Sequence, residues 1–337
     1  MKIFSKKFLI MPLLLAGLVF SCKDLSELNE NPNGVGPESV NPNLIMPTVL
    51  TEAGKRYVNL GYQDIAGVVQ HTQKDAWSSG HNDYDWNNQS WNDYYDILRT
   101  NDLLYNRAVE LNYEFHQGVA LVMKSFMFGL ITDLWGDAPY TNALKGETGG
   151  TENILPAFDS QDKIYAGIIA DLEKANTLLS KAKADYPGIV ESVDVYYGGD
   201  PAKWRKMANS LLLRYYMRIS SKQPDIAKAG IEKIAGNAAM YPIITTNSDD
   251  ATMSFPGNTE ADAWPANTVI DASGSNYRRI KMASTLVDRL QALKDPRLGI
   301  WANKVEIPLV VDATQPAGTD KIVDGKRILS PDKVKNT

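Results

Sequence analysis

Apolar side chains between Glu114 and Trp135 recur at intervals of three and four residues, and this pattern restricts the fold more than any other feature of the chain. Residues with that spacing lie on one side of an α-helix, so the segment is predicted to form one long amphipathic helix. Gly136 and Pro139 follow, a sequence typical of a helix end. The apolar positions are Val119, Val122, Met123, Phe126, Met127, Leu130, Ile131 and Leu134.

Further segments carry helical signals. Asp200 can cap a helix that begins at Pro201, because its carboxylate can accept hydrogen bonds from the first free backbone N–H groups. Other helices are predicted over residues 95–111, 160–183, 224–235 and 282–293. Two short segments, residues 243–246 and 251–255, flank an Asn-Ser-Asp turn and predict a small β ribbon. The fold is therefore predicted to be mostly α, with stacked antiparallel helix pairs, long irregular loops and a small β ribbon.

The N-terminal segment predicts export. Three lysines within the first seven residues precede an apolar run over residues 8–20 that is too short to span a bilayer. Ser21 is a small residue directly before Cys22, as a lipoprotein cleavage site requires. Cys22 is the only cysteine, so lipidation, for example with palmitate, explains its presence, whereas a plain secretory signal with an unrelated cysteine is the alternative. We expect a signal peptide over residues 1–21 and a lipid on Cys22.

The next residues predict a tether. They are polar and contain two Asn-Pro pairs together with Gly34 and Gly36, which favours an extended segment over residues 22–47 before a body over residues 48–337. Outside the signal, no stretch is expected to be apolar for the length that a membrane helix needs. The net charge of −5 leaves no basic stripe, so a nucleic-acid partner is not expected.

The richest functional signal lies between Asp75 and Tyr95, where three of the seven tryptophans mix with tyrosines and amide side chains. Aromatic rings can cover the apolar C–H face of a sugar, while amides, carboxylates and guanidinium groups bind its hydroxyls. Trp91 and Tyr95 share one predicted helix face with Leu98, which favours a core position for both. The rings of Trp77, Tyr84 and Trp86 precede the helix and are better candidates for an exposed platform, although such rings also pin loops to a core.

A second stretch, residues 262–279, contains Trp264 and Arg278 among proline, glycine and serine, and an ordinary loop is its alternative interpretation. The combined hypothesis assigns ring surfaces to four residues and hydroxyl hydrogen bonds to three. The ring residues are Trp77, Tyr84, Trp86 and Trp264. The hydrogen-bonding residues are Asn82, Asp83 and Arg278.

Neither a metal, a cofactor nor a catalytic centre is expected. Asp83-x-Asp85-x-Asn87 resembles the start of a calcium loop, but Asn88 replaces the turn glycine and Tyr94 stands where the glutamate belongs. The three histidines lack ligand spacing. The chain contains no Gly-x-Ser-x-Gly elbow, phosphate-binding loop, dinucleotide fingerprint or His-Glu-x-x-His motif. Two carboxylates brought together from distant positions, as in a glycoside hydrolase, remain an alternative.

Several segments, taken in their order along the chain, resemble a known family. Behind the lipoprotein signal and the Asn-Pro-Asn tether, their combination resembles the SusD-like (SusD/RagB type) outer-membrane nutrient-binding lipoproteins of Bacteroidetes. Trp91, Tyr95, Ile97 and Asn101 are also similar to the first helix of that family. The segments are Leu134-Trp135-Gly136-Asp137-Ala138-Pro139-Tyr140, Gly199-Asp200-Pro201-Ala202-Lys203-Trp204 with Ala208-Asn209-Ser210-Leu211, and Asp295-Pro296-Arg297.

The resemblance implies a body built on tetratricopeptide-like helix pairs that is not an enzyme. It implies a protein anchored in the outer membrane and facing the cell exterior, which captures an oligosaccharide or other nutrient and delivers it to a SusC-like TonB-dependent transporter. Family members usually continue beyond the Asp-Pro-Arg segment, so the body is expected to be truncated at its C-terminal end. Two alternatives stay open: a lipid-anchored helical glycoside hydrolase, and a helix-repeat scaffold that binds only proteins.

Overall fold

A computed structural model describes residues 36, 39–74, 80–86, 88–258, 263, 280–302 and 308–334. The signal segment with Cys22, the greater part of the predicted tether, and the candidate residues Trp77, Trp264 and Arg278 lie outside the described residues. The chain divides into two compact units, residues 1–41 and 42–337. The described part of the first unit is a turn in which the N–H groups of Ser39 and Val40 donate to the carbonyl oxygen of Gly36.

The second unit is mostly helical, as the sequence predicts. Its longer described helices are α1 (Pro42–Asn59), α2 (Asn92–Glu110), α3 (Glu114–Trp135), α4 (Gln161–Leu178), α5 (Pro201–Ile219), α6 (Pro224–Gly236) and α7 (Ser284–Ala292). Leu60–Ile65 continue α1 as a π-helix, and single α-turns occupy Ala66–Val68, Thr151–Ile154 and Leu298–Trp301. Consecutive helices from α1 to α6 pack against each other. Short connections join α2 to α3 and α5 to α6, a geometry that favours antiparallel neighbours.

The strands are short, between two and four residues each. β1 (Thr72–Lys74) pairs antiparallel with β4 (Ile280–Met282), and β2 (Ala138–Pro139) pairs antiparallel with β3 (Phe158–Asp159). A third sheet has the order β5-β7-β6 and consists of β5 (Leu309–Val311), β6 (Asp320–Val323) and β7 (Lys326–Leu329). β7 is parallel to β5 and antiparallel to β6.

The β ribbon predicted over residues 243–246 and 251–255 is wrong in its location, because neither segment forms a strand. Their backbone groups bind side chains instead of a partner strand. The N–H of Ile244 donates to Ser210 Oγ at 2.9 Å, and the N–H of Thr245 donates to Asp249 Oδ2 at 3.3 Å. Asp249 is itself held by Lys206 at 2.7 Å. Two residues of α5 thus hold the first segment, Ser210 directly and Lys206 through Asp249.

The predicted helix ends at Asp200 and Gly136 are confirmed. Asp200 Oδ1 accepts hydrogen bonds from the N–H groups of Ala202 at 2.9 Å and Lys203 at 3.3 Å, which caps α5. Gly136 ends α3 with a φ of 79°, in the region that favours glycine. Asp137, next to it, accepts a hydrogen bond from the N–H of Gln161 at 2.9 Å. It therefore binds the start of α4 and not the turn that follows α3.

Helix α3 lies at the centre of the body, so the prediction that it is amphipathic is wrong. It packs against α1, α2, α4 and α5. Side chains outside the predicted stripe, such as Phe115, Leu121 and Phe128, are as buried as those within it. Among the described residues α3 is the one helix long and apolar enough to cross a membrane, which corrects the expectation of none. Most of its apolar length is buried, as in the core helix of a globular body.

A glycine lets α5 approach α3 closely. A Cβ added at Gly129 would overlap the hydroxyl of Tyr215, which is fully buried and donates to the carbonyl oxygen of Ser125 at 3.0 Å. The hydroxyl of Ser125 in turn donates to the carbonyl oxygens of Leu121 at 2.8 Å and Ile168 at 3.2 Å. Three central helices therefore meet at a contact that leaves no room for a methyl group.

We expect Gly129→Ala to lower the free energy of unfolding by about 1–3 kcal/mol, because the added methyl group must displace the Tyr215 ring or its hydrogen bond. Urea denaturation measures this change. Gly236→Ala is the matched control, since a Cβ at Gly236 meets no atom within 4 Å and alanine favours a helix. Equal stability of Gly129→Ala and the unchanged protein would contradict the assigned packing.

A buried histidine holds the start of α1, whose first residues the sequence assigned to the tether. Asn43 donates through Nδ2 to the carbonyl oxygen of Gly188 at 2.7 Å, and its Oδ1 lies 3.0 Å from Nε2 of His116. Because Oδ1 can only accept, we assign the ring proton to Nε2. Nδ1 has no hydrogen-bond partner within the described part of the chain. Burial lowers the pKa of His116 to about 4, while the charge of Asp194 opposes this change.

Stability should therefore depend on pH through His116. As the pH falls below 6.5, the unfolded chain binds a proton at this residue before the folded protein does. The contribution of neutral His116 to the free energy of unfolding is complete above pH 6.5. It falls by about 3 kcal/mol as the pH is lowered towards 4. His116→Gln keeps a donor for Asn43 but does not titrate. Urea denaturation of both proteins between those pH values should give a smaller loss for the variant, and equal losses would refute the assignment.

Candidate functional site

The candidate loop, residues 80–86, lies between β1 and α2. Asn82 attaches it to β1, because its Nδ2 donates to the carbonyl oxygen of Lys74 at 2.7 Å and its Oδ1 accepts from the N–H of Lys74 at 2.8 Å. Nε2 of His81 lies 2.9 Å from the hydroxyl of Thr72. In this structure the amide of Asn82, predicted to bind sugar hydroxyls, is bonded to the backbone at the base of the loop.

The base of the loop also packs on the helical turn Ala66–Val68. A Cβ added at Gly67 would overlap the carbonyl oxygen of His81, so only glycine lets the two backbones lie this close. The π-helix Leu60–Ile65 directly precedes that turn. Single π-helical turns occur frequently at functional sites. The candidate loop is thus supported by helical backbone on one side and by β1 on the other.

The tip of the candidate loop carries the accessible side chains. Asp83 and Tyr84 are exposed, and Trp86 is half-buried. Tyr84 has a φ of 56°, a backbone conformation that residues other than glycine rarely adopt. The residue is 43% exposed, so its ring is accessible to solvent. The carbonyl oxygen of Trp86 accepts a hydrogen bond from Nε2 of Gln89 at 2.9 Å. The tip therefore combines aromatic surface with a carboxylate, as sugar binding requires.

A β ribbon joins the ends of the two candidate segments. Lys74 precedes the segment that contains Trp77, and Ile280 follows the segment that contains Trp264 and Arg278. Lys74 pairs with Ile280 in the antiparallel ribbon of β1 and β4. Although more than half the chain separates the two segments in the sequence, their ends meet at one ribbon.

Trp91 and Tyr95, predicted to be core residues, are only half-buried. The fully buried ring of this region belongs to Tyr94, which the spacing did not identify. The ring centroid of Trp91 lies 5.9 Å from that of Trp135 and 5.6 Å from that of Phe158. Phe158 is 60% exposed and comes from β3, far along the chain. Periodicity within α2 could not have found it, because only the packing of β2 and β3 brings its ring to Trp91.

The possible calcium ligands also lie in and beside the candidate loop. Within the part of the chain that the structure describes, no three His, Cys, Asp or Glu side chains are grouped as a metal site requires. Asp83 and Asp85 are both exposed, whereas Asn87 lies outside the described residues. The exposed groups of the described loop are the carboxylates of Asp83 and Asp85 and the ring of Tyr84.

Stacked helix pairs, short β ribbons and an exposed aromatic loop define a mostly helical protein with a candidate ligand-binding loop. A family model described as "starch-binding associating with outer membrane" matches residues 38–312. The chain belongs to this SusD-like family, which confirms the resemblance inferred from the sequence. Members of the family are binding proteins and not enzymes. No curated protein matches the chain.

Solved structures share the fold. A SusD homolog from Bacteroides fragilis has 23% identity and a TM-score of 0.62, over 77% of this chain and 52% of that one. An outer membrane protein from Bacteroides vulgatus, associated with nutrient binding, has 28% identity and a TM-score of 0.61, with the same coverages. A chitin-binding SusD homolog from Flavobacterium johnsoniae has 22% identity and a TM-score of 0.55, over 76% and 52%. This chain spans about half the length of these relatives.

Proposed function

We propose that the protein is an outer-membrane lipoprotein that binds an oligosaccharide and delivers it to a SusC-like TonB-dependent transporter. The exposed Tyr84 beside Trp86, on a loop braced by β1, is the observation that carries the proposal. The description of the family as starch-binding and the chitin-binding relative both support a carbohydrate as the ligand.

The chemistry of the candidate loop suits capture followed by release. An exposed ring can stack on a sugar without removing many polar groups from water, and hydroxyls that stay hydrated contribute little net free energy. Asp83 is exposed and can accept a hydrogen bond from a hydroxyl at the same tip. Binding should therefore be weak enough for the sugar to leave for a transporter.

Replacing the proposed ring residues should weaken sugar binding. We expect Trp86→Ala and Trp264→Ala each to lower the affinity for maltoheptaose or chitohexaose about tenfold, or about 1.4 kcal/mol, because each loses a stacking surface. Isothermal titration measures the affinity, and circular dichroism confirms folding. Trp301→Ala is the control, since Trp301 is 54% exposed and lies in a different segment.

Unchanged affinity in both loop variants would refute the site. Chromatography of the same mixtures tests the rival activity, because a binding protein leaves the oligosaccharide intact. Shorter products would instead favour a glycoside hydrolase.

The lipid and the transporter can be tested together. Cys22→Ser removes the proposed attachment atom, so we expect the variant to lose palmitate labelling and to leave the outer-membrane fraction. The unchanged protein, purified from detergent-solubilised outer membranes, should carry a β-barrel transporter with it. A labelled, membrane-bound Cys22→Ser protein would contradict the anchor, and purification without any β-barrel protein would contradict the partnership.

A further inference from the structure

A pocket of about 390 Å³ lies between α1 and α2, and we name it the α1–α2 groove. Its volume falls within the range of small-ligand sites. Thr48, Glu52 and Arg56 line it from α1, and Asp93, Asp96 and Thr100 line it from α2. No aromatic ring lies among its lining residues, so its chemistry differs from that of the candidate loop: it offers hydrogen-bonding side chains beside the apolar Val49 and Ile97.

Arg56 is held rigidly at the wall of this groove. Its guanidinium carbon lies 4.7 Å from the centroid of the buried Tyr94 ring, a cation–π contact. Its nearest carboxylate oxygen belongs to Asp93 at 3.8 Å, which is too long for a hydrogen bond. Nε of Arg56 is buried, but the side chain is 21% exposed and lines the groove, so the terminal N–H groups of the guanidinium are the ones that face a ligand. A partly exposed guanidinium with no carboxylate oxygen of the described residues within hydrogen-bond distance can donate to an acceptor on a ligand.

The charges of the α1–α2 groove indicate which ligand fits. Two cationic residues, Lys55 and Arg56, and three carboxylates, Glu52, Asp93 and Asp96, line it, so their sum is −1. An anionic ligand is therefore disfavoured. A sugar hydroxyl can accept a hydrogen bond from a guanidinium while it donates one to a carboxylate. One neutral group can therefore bind both the cationic and the anionic residues of the groove. The threonine hydroxyls add further partners of the same kind.

A charged residue, Asp64, lies between the α1 side of the groove and the candidate loop in the sequence and interacts with both. Asp64 lies in the π-helix between α1 and the turn on which the loop packs. Burial raises the pKa of its carboxyl group, while the charges of Arg56 and His81 both oppose that rise. His81 belongs to the candidate loop, and Asp93 lies in the first turn of α2, shortly after that loop. The two sites thus adjoin one charged cluster.

We propose that the α1–α2 groove is a second carbohydrate subsite, which binds an uncharged sugar ring through hydroxyl hydrogen bonds to Arg56 and to the carboxylates of Glu52 and Asp93. The subsite rests on the proposed function and extends it, because it adds a position that recognises sugars without stacking. It also sets the class of ligand as neutral rather than acidic.

Hydrogen exchange and titration of the full chain test the subsite. Maltoheptaose should slow amide exchange in residues 48–59 and 92–100 as well as in the candidate loop. Arg56→Gln and Glu52→Gln should abolish the slowing in α1 and α2, leave it in the loop, and lower affinity about tenfold. Glu52 is exposed, so Glu52→Gln is expected to keep the fold. It therefore tests the subsite even if Arg56→Gln unfolds through the loss of its cation–π contact. The controls Arg289→Gln and Glu232→Gln, on exposed helix faces, should behave as the unchanged protein.

Each outcome separates the two proposals. If maltoheptaose slows exchange only in the candidate loop, the groove is not a subsite although the proposed function stands. Stronger slowing of α1 and α2 by oligogalacturonate than by maltoheptaose would overturn the assignment of a neutral ligand. If neither maltoheptaose nor chitohexaose binds at all, the proposed function fails together with the subsite.

Discussion

The burial of α3 on most of its sides is the constraint on which the rest of the structure depends. Four helices contact it. Glycines of α3 stand where two neighbours come closest, namely Leu179 at the end of α4 and Tyr215 of α5. At Gly118 an added Cβ would lie 2.6 Å from Leu179, and at Gly129 it would overlap Tyr215. Once α3 is fixed, its first turn holds the start of α1 through His116, and its last turn leads into β2. A close-packed centre of this kind tolerates little change in volume, so it constrains the elements that pack around it.

The regions to which we assign function lie on helices that pack against this centre. α1 and α2 both contact α3, and the groove between them has charged walls because their outward faces are free to be polar. The candidate loop lies between β1 and the start of α2, with its Asn82 bonded to the backbone of Lys74 in β1. Rigid support under a short exposed tip reduces the entropy that a ligand must remove on binding. The same arrangement offers rings at the loop and hydrogen bonds in the groove, two complementary ways of recognising a sugar.

Prediction from the sequence succeeded for features that depend on a few neighbouring residues. Helices α2 to α7 appear where the sequence predicts them, whereas α1, whose first residues were assigned to the tether, was not predicted. Asp200 caps α5 because a cap needs only a side chain and the next two or three N–H groups. The predicted ribbon failed at Ile244 and Thr245, because side chains of α5 and of Asp249 took their backbone donors. The amphipathic interpretation of α3 failed for a related reason, since the periodic stripe does not reveal how many helices surround it. Asn82 has the residue type of a sugar ligand, but its position beside Lys74 decides its hydrogen bonds.

The sequence by itself determined most of the helices, the helix ends at Gly136 and Asp200, and the membership in the SusD-like family, because each of these depends on neighbouring residues or on motifs in a fixed order along the chain. Only the tertiary structure decided that α1 begins at Pro42, that Lys74 pairs with Ile280, that Phe158 meets Trp91, and that Arg56 lies over Tyr94. Local spacing governs hydrogen bonds within a turn or a helix, whereas contacts between distant residues follow from how the helices fill space around α3. The sites that bind a ligand belong to the second kind, because a binding surface is made by chain segments that meet only after the core has packed.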